Sequence, residues 1–340
     1  MDGKQMKDHH IDLTSAEIAV LWSSYMTESA TLPVLKYFNN IVEDLEIKQV
    51  IELALSKSSE HLKTLTDLFI KEKYPIPIGF SDEDVNLNAP RLFSDTYMLF
   101  FLRNLGKAGI AADGMAFSMA ARKDIRELYH HFLFEATEVE DKAKELMLSK
   151  GIFIRPPYIN KPEKADFVEK QGFLRGWLGE RRTLTADEIA HIFMNHTNNS
   201  NGKALLIGFS QTARSEELRN HFIRGVELAR SIIGTLGTIL EESTLPAPMT
   251  WDTEVNNSTI APFSDKLMLF HVSALNAIGM GNIGGSLALS LRRDVATKYL
   301  GMIKDIGLYA EDGANIMIKN GWFERPPQAM DRENLSKGKK

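Results

Sequence analysis

Leu13-Thr14-Ser15-Ala16-Glu17-Ile18 recurs as Leu184-Thr185-Ala186-Asp187-Glu188-Ile189, an offset of 171 residues. The offset runs on through Ser29/Ser200, Leu35/Leu206, Phe38/Phe209, Leu65/Leu236, Pro75/Pro246 and Pro77/Pro248. One residue is then lost, and an offset of 170 carries Ser94/Ser264, Asp95/Asp265, Met98/Met268, Gly109/Gly279, Arg122/Arg292, Asp124/Asp294 and Tyr129/Tyr299. The unit closes with Gly151-Ile152-Phe153-Ile154-Arg155-Pro156-Pro157, matched by Gly321-Trp322-Phe323-Glu324-Arg325-Pro326-Pro327. So many matches in register, broken by one slip, indicate a duplicated unit of about 145 residues.

Each unit reads as four helices. Thr14-x-x-Glu17 and Thr185-x-x-Glu188 are capping boxes, in which Thr accepts from the backbone near Glu and Glu reaches back. Leu13/Ile18 and Leu184/Ile189 have the spacing of a hydrophobic staple around that cap. Ser94 and Ser264 open the third helix, and Gly151 and Gly321 close the fourth, where a positive φ is often required. The Pro-Pro pairs forbid a restart. Helices are expected near 14–39, 42–72, 93–120 and 122–150, and near 185–211, 213–241, 263–290 and 292–320.

Between the second and third helices lie the residues 73–92, which extended could reach roughly 66 Å. A 26-residue helix spans roughly 39 Å. One long crossover in a four-helix bundle is the ferritin-like topology. The expected fold is therefore all-α: two tandem ferritin-like four-helix bundles, each up-down-down-up with a single crossover. The domain division is 1–157 for the first bundle, 158–183 for a linker packed on the bundles, 184–330 for the second bundle and 331–340 for a disordered basic tail. The aromatic content of the linker, with Phe167, Phe173, Leu174 and Trp177, is the reason to expect it docked.

The 340 residues, 44% hydrophobic and 25% charged, fit a globular protein with a core in each unit. No run reaches 18 uncharged apolar residues, so no membrane span is expected, and the N-terminus shows no signal peptide. The absence of cysteine removes disulfides, thiolate nucleophiles and thiolate metal sites. A net charge of −5 argues against a general nucleic-acid binder.

The Leu-Thr-x-x-Glu-Ile starts, the Phe173-Leu174-x-Gly176-Trp177 linker and the Gly-x-Phe-x-Arg-Pro-Pro ends resemble an uncharacterised ferritin-like family of spore-forming bacilli, spore coat protein-like. The resemblance covers nearly the whole chain. It implies the fold and a sporulation setting, and it brings no catalytic residues.

The candidate chemistry is sparse. A di-iron bundle site needs a Glu on each of two helices and Glu-x-x-His on the other two. Glu127-x-x-His130 matches on the fourth helix, but Thr297 and Leu300 replace the pair in the second unit. The second helix offers only the adjacent Glu60 and His61, which diverge; the first offers Glu28, and the third has no Glu. The alternative reading of Glu127 and His130 is a solvated face. His196, His221 and His271, on three helices of the second unit, form a candidate transition-metal set without a carboxylate, the competing reading being core histidines. Gly279-x-Gly281-x-x-Gly284 spells a dinucleotide fingerprint but falls within a helix, so close helix approach or a kink is the better account. The acidic run Glu135–Glu145 reads as a charged face.

No catalytic or cofactor-binding residue is assigned, no metal is expected and no cofactor is predicted. The expectation is a cytoplasmic or spore-associated, non-catalytic structural protein with protein partners or self-association. The alternative is a metal or small-ligand carrier, or an oxidoreductase, that uses the interior of one bundle, with the second favoured for its histidines.

Overall fold

The computed structural model describes residues 11–177 and 181–338. Its helices are α1 (Ser15–Ile41), α2 (Leu45–Lys71), α3 (Asp95–Met119), α4 (Lys123–Ser149), α5 (Ala186–Thr212), α6 (Glu216–Glu242), α7 (Asp265–Leu289), α8 (Arg293–Lys319) and the short α9 (Arg332–Ser336). Among the described residues there is no strand, and the chain is all-α. The ends of the eight long helices fall within three residues of the sequence expectation.

The repeated polar residues explain why those ends are sharp. Both capping boxes form, at Thr14/Glu17 and Thr185/Glu188. Each Glu also has a second set of partners. The Glu17 carboxylate accepts from the backbone N–H of Ala121 at 3.0 Å and Arg122 at 2.7 Å, where α4 begins. Glu188 accepts from Leu291 and Arg292 at the equivalent turn. Asp95 and Asp265 mirror this at the other end, taking the backbone N–H groups of Asp44 and Ser215 at the starts of α2 and α6. Orphan N–H groups at a helix start need acceptors, so each carboxylate ties one helix to the junction of two others. Gly151 and Gly321 have φ of 70° and 69°, and the N–H groups of Ile152 and Trp322 fold back onto Met147 O and Met317 O.

Core membership gives the directions of the helices. Leu21, Phe69, Ala116 and Ile125 share one cluster. Phe38, Ile47, Leu99 and Met147, from the opposite ends of the same helices, share another. Helices α1 and α4 therefore run one way and α2 and α3 the other, and the segment between α2 and α3 runs from one end to the other. Ile192, Ile232, Leu236, Ile283 and Tyr299 form the corresponding end cluster of the second half.

The central cluster spans both halves, where the duplication leads one to expect two units, each with a core, packed against each other through equivalent helices about an approximate two-fold axis. It joins Tyr37, Phe38 and Phe93 of the first half to Phe209, Phe222 and Phe263 of the second. The two crossovers pair across this seam: Val85 bridges Phe263, and Phe93 bridges Val255. Ser264 N–H donates to Asp84 O at 2.9 Å, and Ser94 N–H to Glu254 O at 3.0 Å. Each contact is the image of the other under the 170-residue offset, as in an isologous dimer interface. Helix α1 touches α7 and α3 touches α5, again an equivalent pair.

Two further expectations change. In the linker, Phe167 and Trp177 are 94% and 57% exposed, and only Phe173 and Leu174 are partly covered. Docking rests on the backbone at Gly176, where a Cβ would lie 2.2 Å from Asp294 Oδ1. Residues 178–180 of the linker lie outside the described residues. The tail, expected to be disordered, holds α9, capped by Asp331; residues 339–340 of that tail are outside the described residues.

Candidate functional site in the first half

Four helices of the first half bring polar side chains together near mid-length. On α2 the buried stripe Ile51, Ala54, Ser58, His61, Leu65 and Phe69 steps by three and four residues, so Ser58 and His61 face inward with the apolar residues. On α4 the stripe Ile125, Tyr129, Phe132, Glu135 and Val139 does the same for Glu135. Helix α1 supplies Glu28 and α3 supplies Asp113.

His61 sits between two carboxylates. Its Nδ1 lies 2.9 Å from Glu28 Oε1 and its Nε2 2.6 Å from Glu135 Oε2. The ring stacks on Phe132 with centroids 3.7 Å apart. Ser58 O–H donates to the second Glu28 oxygen, and Lys57 Nζ donates to the second Glu135 oxygen at 2.5 Å. His131 stands 3.4 Å from Glu135 on the solvent side.

Burial works against the imidazolium, but Glu28 and Glu135 overcome it and hold the His61 pKa above its ordinary value. Burial also opposes charge on Glu135, and the donors Lys57 and His61 hold its carboxyl below the usual range. Asp113 has no such donor: burial, with the negative charge of Glu28, pushes it up to about 7. The result is a cluster in which two carboxylates are matched by the His61 ring and the Lys57 ammonium.

The donor types suit a transition metal, but their arrangement does not. A metal-ligating imidazole presents a free nitrogen lone pair, and here both ring nitrogens are occupied by carboxylates. Ser58 stands where Glu-x-x-His would place a carboxylate one turn before His61, and Lys57 occupies the free edge of Glu135. Among the described residues no three His, Asp or Glu side chains converge on a metal position. In the second half the images of Glu28, Ser58, His61, Asp113 and Glu135 are Asn199, Ala229, Ile232, Ile283 and the exposed Asp305, so the carboxylate–histidine set is not repeated there.

The candidates that the sequence singled out fall elsewhere. Glu127 and His130 lie on an exposed face, Glu127 beside Lys123 at 3.5 Å. The three second-half histidines have separate environments. His196 lies against Gly237, His221 stacks on Tyr309 at 4.2 Å, and His271 Nε2 is 3.1 Å from Ala30 O across the seam. Burial lowers each of their pKa values to about 4, so all three are neutral core groups at neutral pH. The buried carboxylates around a histidine are in the first half; the second half instead buries neutral polar groups, with Asn195 Nδ2 donating to Ser286 Oγ at 2.7 Å and His191 Nδ1 3.1 Å from the same oxygen. Within the acidic run, Glu135 is indistinguishable by sequence from solvated neighbours such as Asp141 and Glu145, and Asp113 falls outside a pattern that asks for Glu on the third helix. The inward stripes of α2 and α4 are the signal that identifies Ser58, His61 and Glu135.

Residues 1–165 and 172–335 each match the family described as "Protein of unknown function (DUF3231)". The chain belongs to the DUF3231 family. No curated protein matches it. A solved structure from Bacillus halodurans, described as a "putative spore coat protein", aligns with a TM-score of 0.41 and 16% identity, covering 44% of this chain and 98% of that one.

Proposed function

We propose that this DUF3231 member is a non-catalytic structural protein made of two ferritin-like four-helix bundles, 1–157 and 184–330, joined by the linker 158–183 and followed by the tail 331–340. The observation that carries this reading is the closure of the first-bundle interior: His61 has both nitrogens bound by Glu28 and Glu135, and Lys57 and Ser58 take the remaining carboxylate oxygens. The cluster acts as an internal tie between α1, α2 and α4. At the positions equivalent to His61 and Asp113 the second half carries Ile232 and Ile283.

Anaerobic incubation with Fe(II), Mn(II) or Zn(II), followed by desalting and elemental analysis, tests the reading. Substoichiometric metal is expected. Stoichiometric metal that disappears in Glu28→Gln and Glu135→Gln would establish the rival, a metal carrier or oxidoreductase in the first bundle. One observation favours that rival: carboxylates from α1 and α4 each stand within hydrogen-bond reach of the His61 imidazole on α2.

The sequence resemblance adds a sporulation setting, in the cytoplasm or in the spore coat. A fluorescent fusion followed through sporulation should concentrate at the developing spore; an even vegetative signal would oppose this.

A further inference from the structure

Charged side chains gather where the first half adjoins the second. Helix α3 packs against α4 and also touches α5 of the second half. Arg103 and Lys107 lie one turn apart on α3. Arg103 Nε reaches Glu140 Oε1 of α4 at 3.4 Å, and Lys144 Nζ, a turn further along α4, donates to Glu140 Oε2 at 2.7 Å. Lys107 Nζ donates to Asn198 Oδ1 of α5 at 3.0 Å. The Arg103 guanidinium is held over the Phe153 ring, 4.9 Å from its centroid. Glu140 is buried, and Arg103, Lys107 and Lys144 are half-buried.

The close spacing of α3 and α4 builds this junction. A Cβ at Gly106 would lie 2.7 Å from Glu140 N, and one at Gly109 would lie 2.8 Å from Ala136 Cβ. Close helix approach, the sequence expectation for Gly279, Gly281 and Gly284, is a property of α3 instead: a Cβ at any of those three would meet nothing within 4 Å.

Three cations face one carboxylate here, an excess of two positive charges in a chain whose net charge is −5. Half-buried charge is costly unless it is matched. Lys107 registers the mismatch: burial, reinforced by Arg103 and Lys144, outweighs Glu140 and lowers its pKa to about 8. The fold does not require these charges. The second copy of the unit carries Ser273, Ala277, Ala310 and Ala314 at the positions of Arg103, Lys107, Glu140 and Lys144, and it packs α7 on α8 without them.

We propose that Arg103, Lys107 and Lys144 bind a small oxyanion of the phosphate class at the junction of α3, α4 and α5. Two excess positive charges match a dianion, and a guanidinium beside two ammonium groups is a donor set suited to its oxygens. Asn198 holds Lys107 from the second half, so the site spans both copies of the unit. A bound dianion restores the full charge of Lys107, and binding therefore takes up a proton once the pH exceeds the lowered pKa.

Isothermal titration calorimetry of the full chain with inorganic phosphate at low ionic strength tests the proposal. Saturable binding is expected. It should weaken about tenfold between about pH 8 and about pH 9.5, where phosphate stays dianionic, with uptake of about one proton per anion seen as a buffer-dependent heat. Lys107→Ala copies Ala277, so it should keep the wild-type helicity, while its affinity falls about tenfold or more and loses its pH dependence over this range. Lys144→Ala, which copies Ala314, should also weaken binding. Glycerol phosphate as a second titrant separates two sources of the anion: tighter binding than inorganic phosphate assigns an organic phosphate, and equal or weaker binding assigns the free ion. The absence of saturable heat, or binding that Lys107→Ala leaves unchanged in strength and pH dependence, would overturn the proposal.

Discussion

Asp113 is a carboxylate whose charge the fold disfavours. Its carboxyl is raised to about 7 by burial and by Glu28, whereas an unfolded aspartate ionises near its ordinary value of 3.8. A raised folded pKa means stability that is complete below the unfolded value and lost as pH climbs through the folded one. Asp113→Asn removes the ionisation. It should therefore stabilise the chain on the order of 1 kcal/mol near pH 8 and by a clearly smaller amount near pH 5, read from urea denaturation at the two pH values. Equal effects at both would show that Asp113 is solvated. His61 and Glu135 have shifts of opposite sign that act together: the His61 contribution fades as pH rises through its raised pKa, and the Glu135 contribution fades as pH falls through its lowered one. In the sequence His61 stands beside Glu60, which is not its partner. Its partners are 33 and 74 residues away, and no local spacing encodes them.

The helix boundaries were legible because their determinants are local. Thr14, Glu17, Ser94 and Gly151 act within one turn, and their images 170 or 171 residues on act in the same way. The long-range half of that chemistry was not legible. Glu17 reads as a cap, yet it also holds the start of α4 and is fully buried. Glu17→Ala should cost about 2 kcal/mol or more, beyond an ordinary cap loss, because the buried Ala121 and Arg122 N–H groups lose their acceptor. A cost no greater than that of Thr14→Ala in thermal denaturation would show that the α4 contact is idle. The linker makes the opposite point. Aromatic content suggested Trp177 as its anchor, but Trp177 is exposed and Gly176 makes the close approach to Asp294. Gly176→Ala should therefore expose the linker to limited proteolysis, while Trp177→Ala should not. The reverse result would restore the aromatic anchor.

At the scale of the whole chain, each unit has part of its core covered by the other. Tyr37, Phe38 and Phe93 are covered by Phe209, Phe222 and Phe263, and each such apolar side chain contributes roughly 1.5–3 kcal/mol when buried. A fragment covering residues 1–157 would expose that half of the seam. It should be recovered as an aggregate, or as a dimer that re-forms the Val85/Phe263-type pairing through its own Val85 and Phe93. A stable, monomeric, fully helical fragment by light scattering and circular dichroism would show that the shared core is dispensable.

Fold class, element boundaries and internal duplication were readable from the chain because capping residues, helical periodicity and an in-register repeat are one-dimensional properties. Where the two copies would merge their cores was not, since Phe38 and Phe263 each look like an ordinary core residue until the seam pairs them. The polar interior was hidden for the same reason: Glu28, Ser58, His61, Glu135 and Asp113 are scattered over four helices, and only packing makes them neighbours. Whether a charged residue is solvated or caged depends on the face its helix turns inward. That choice is made by the burial of all the helices together, not by any one stretch of sequence.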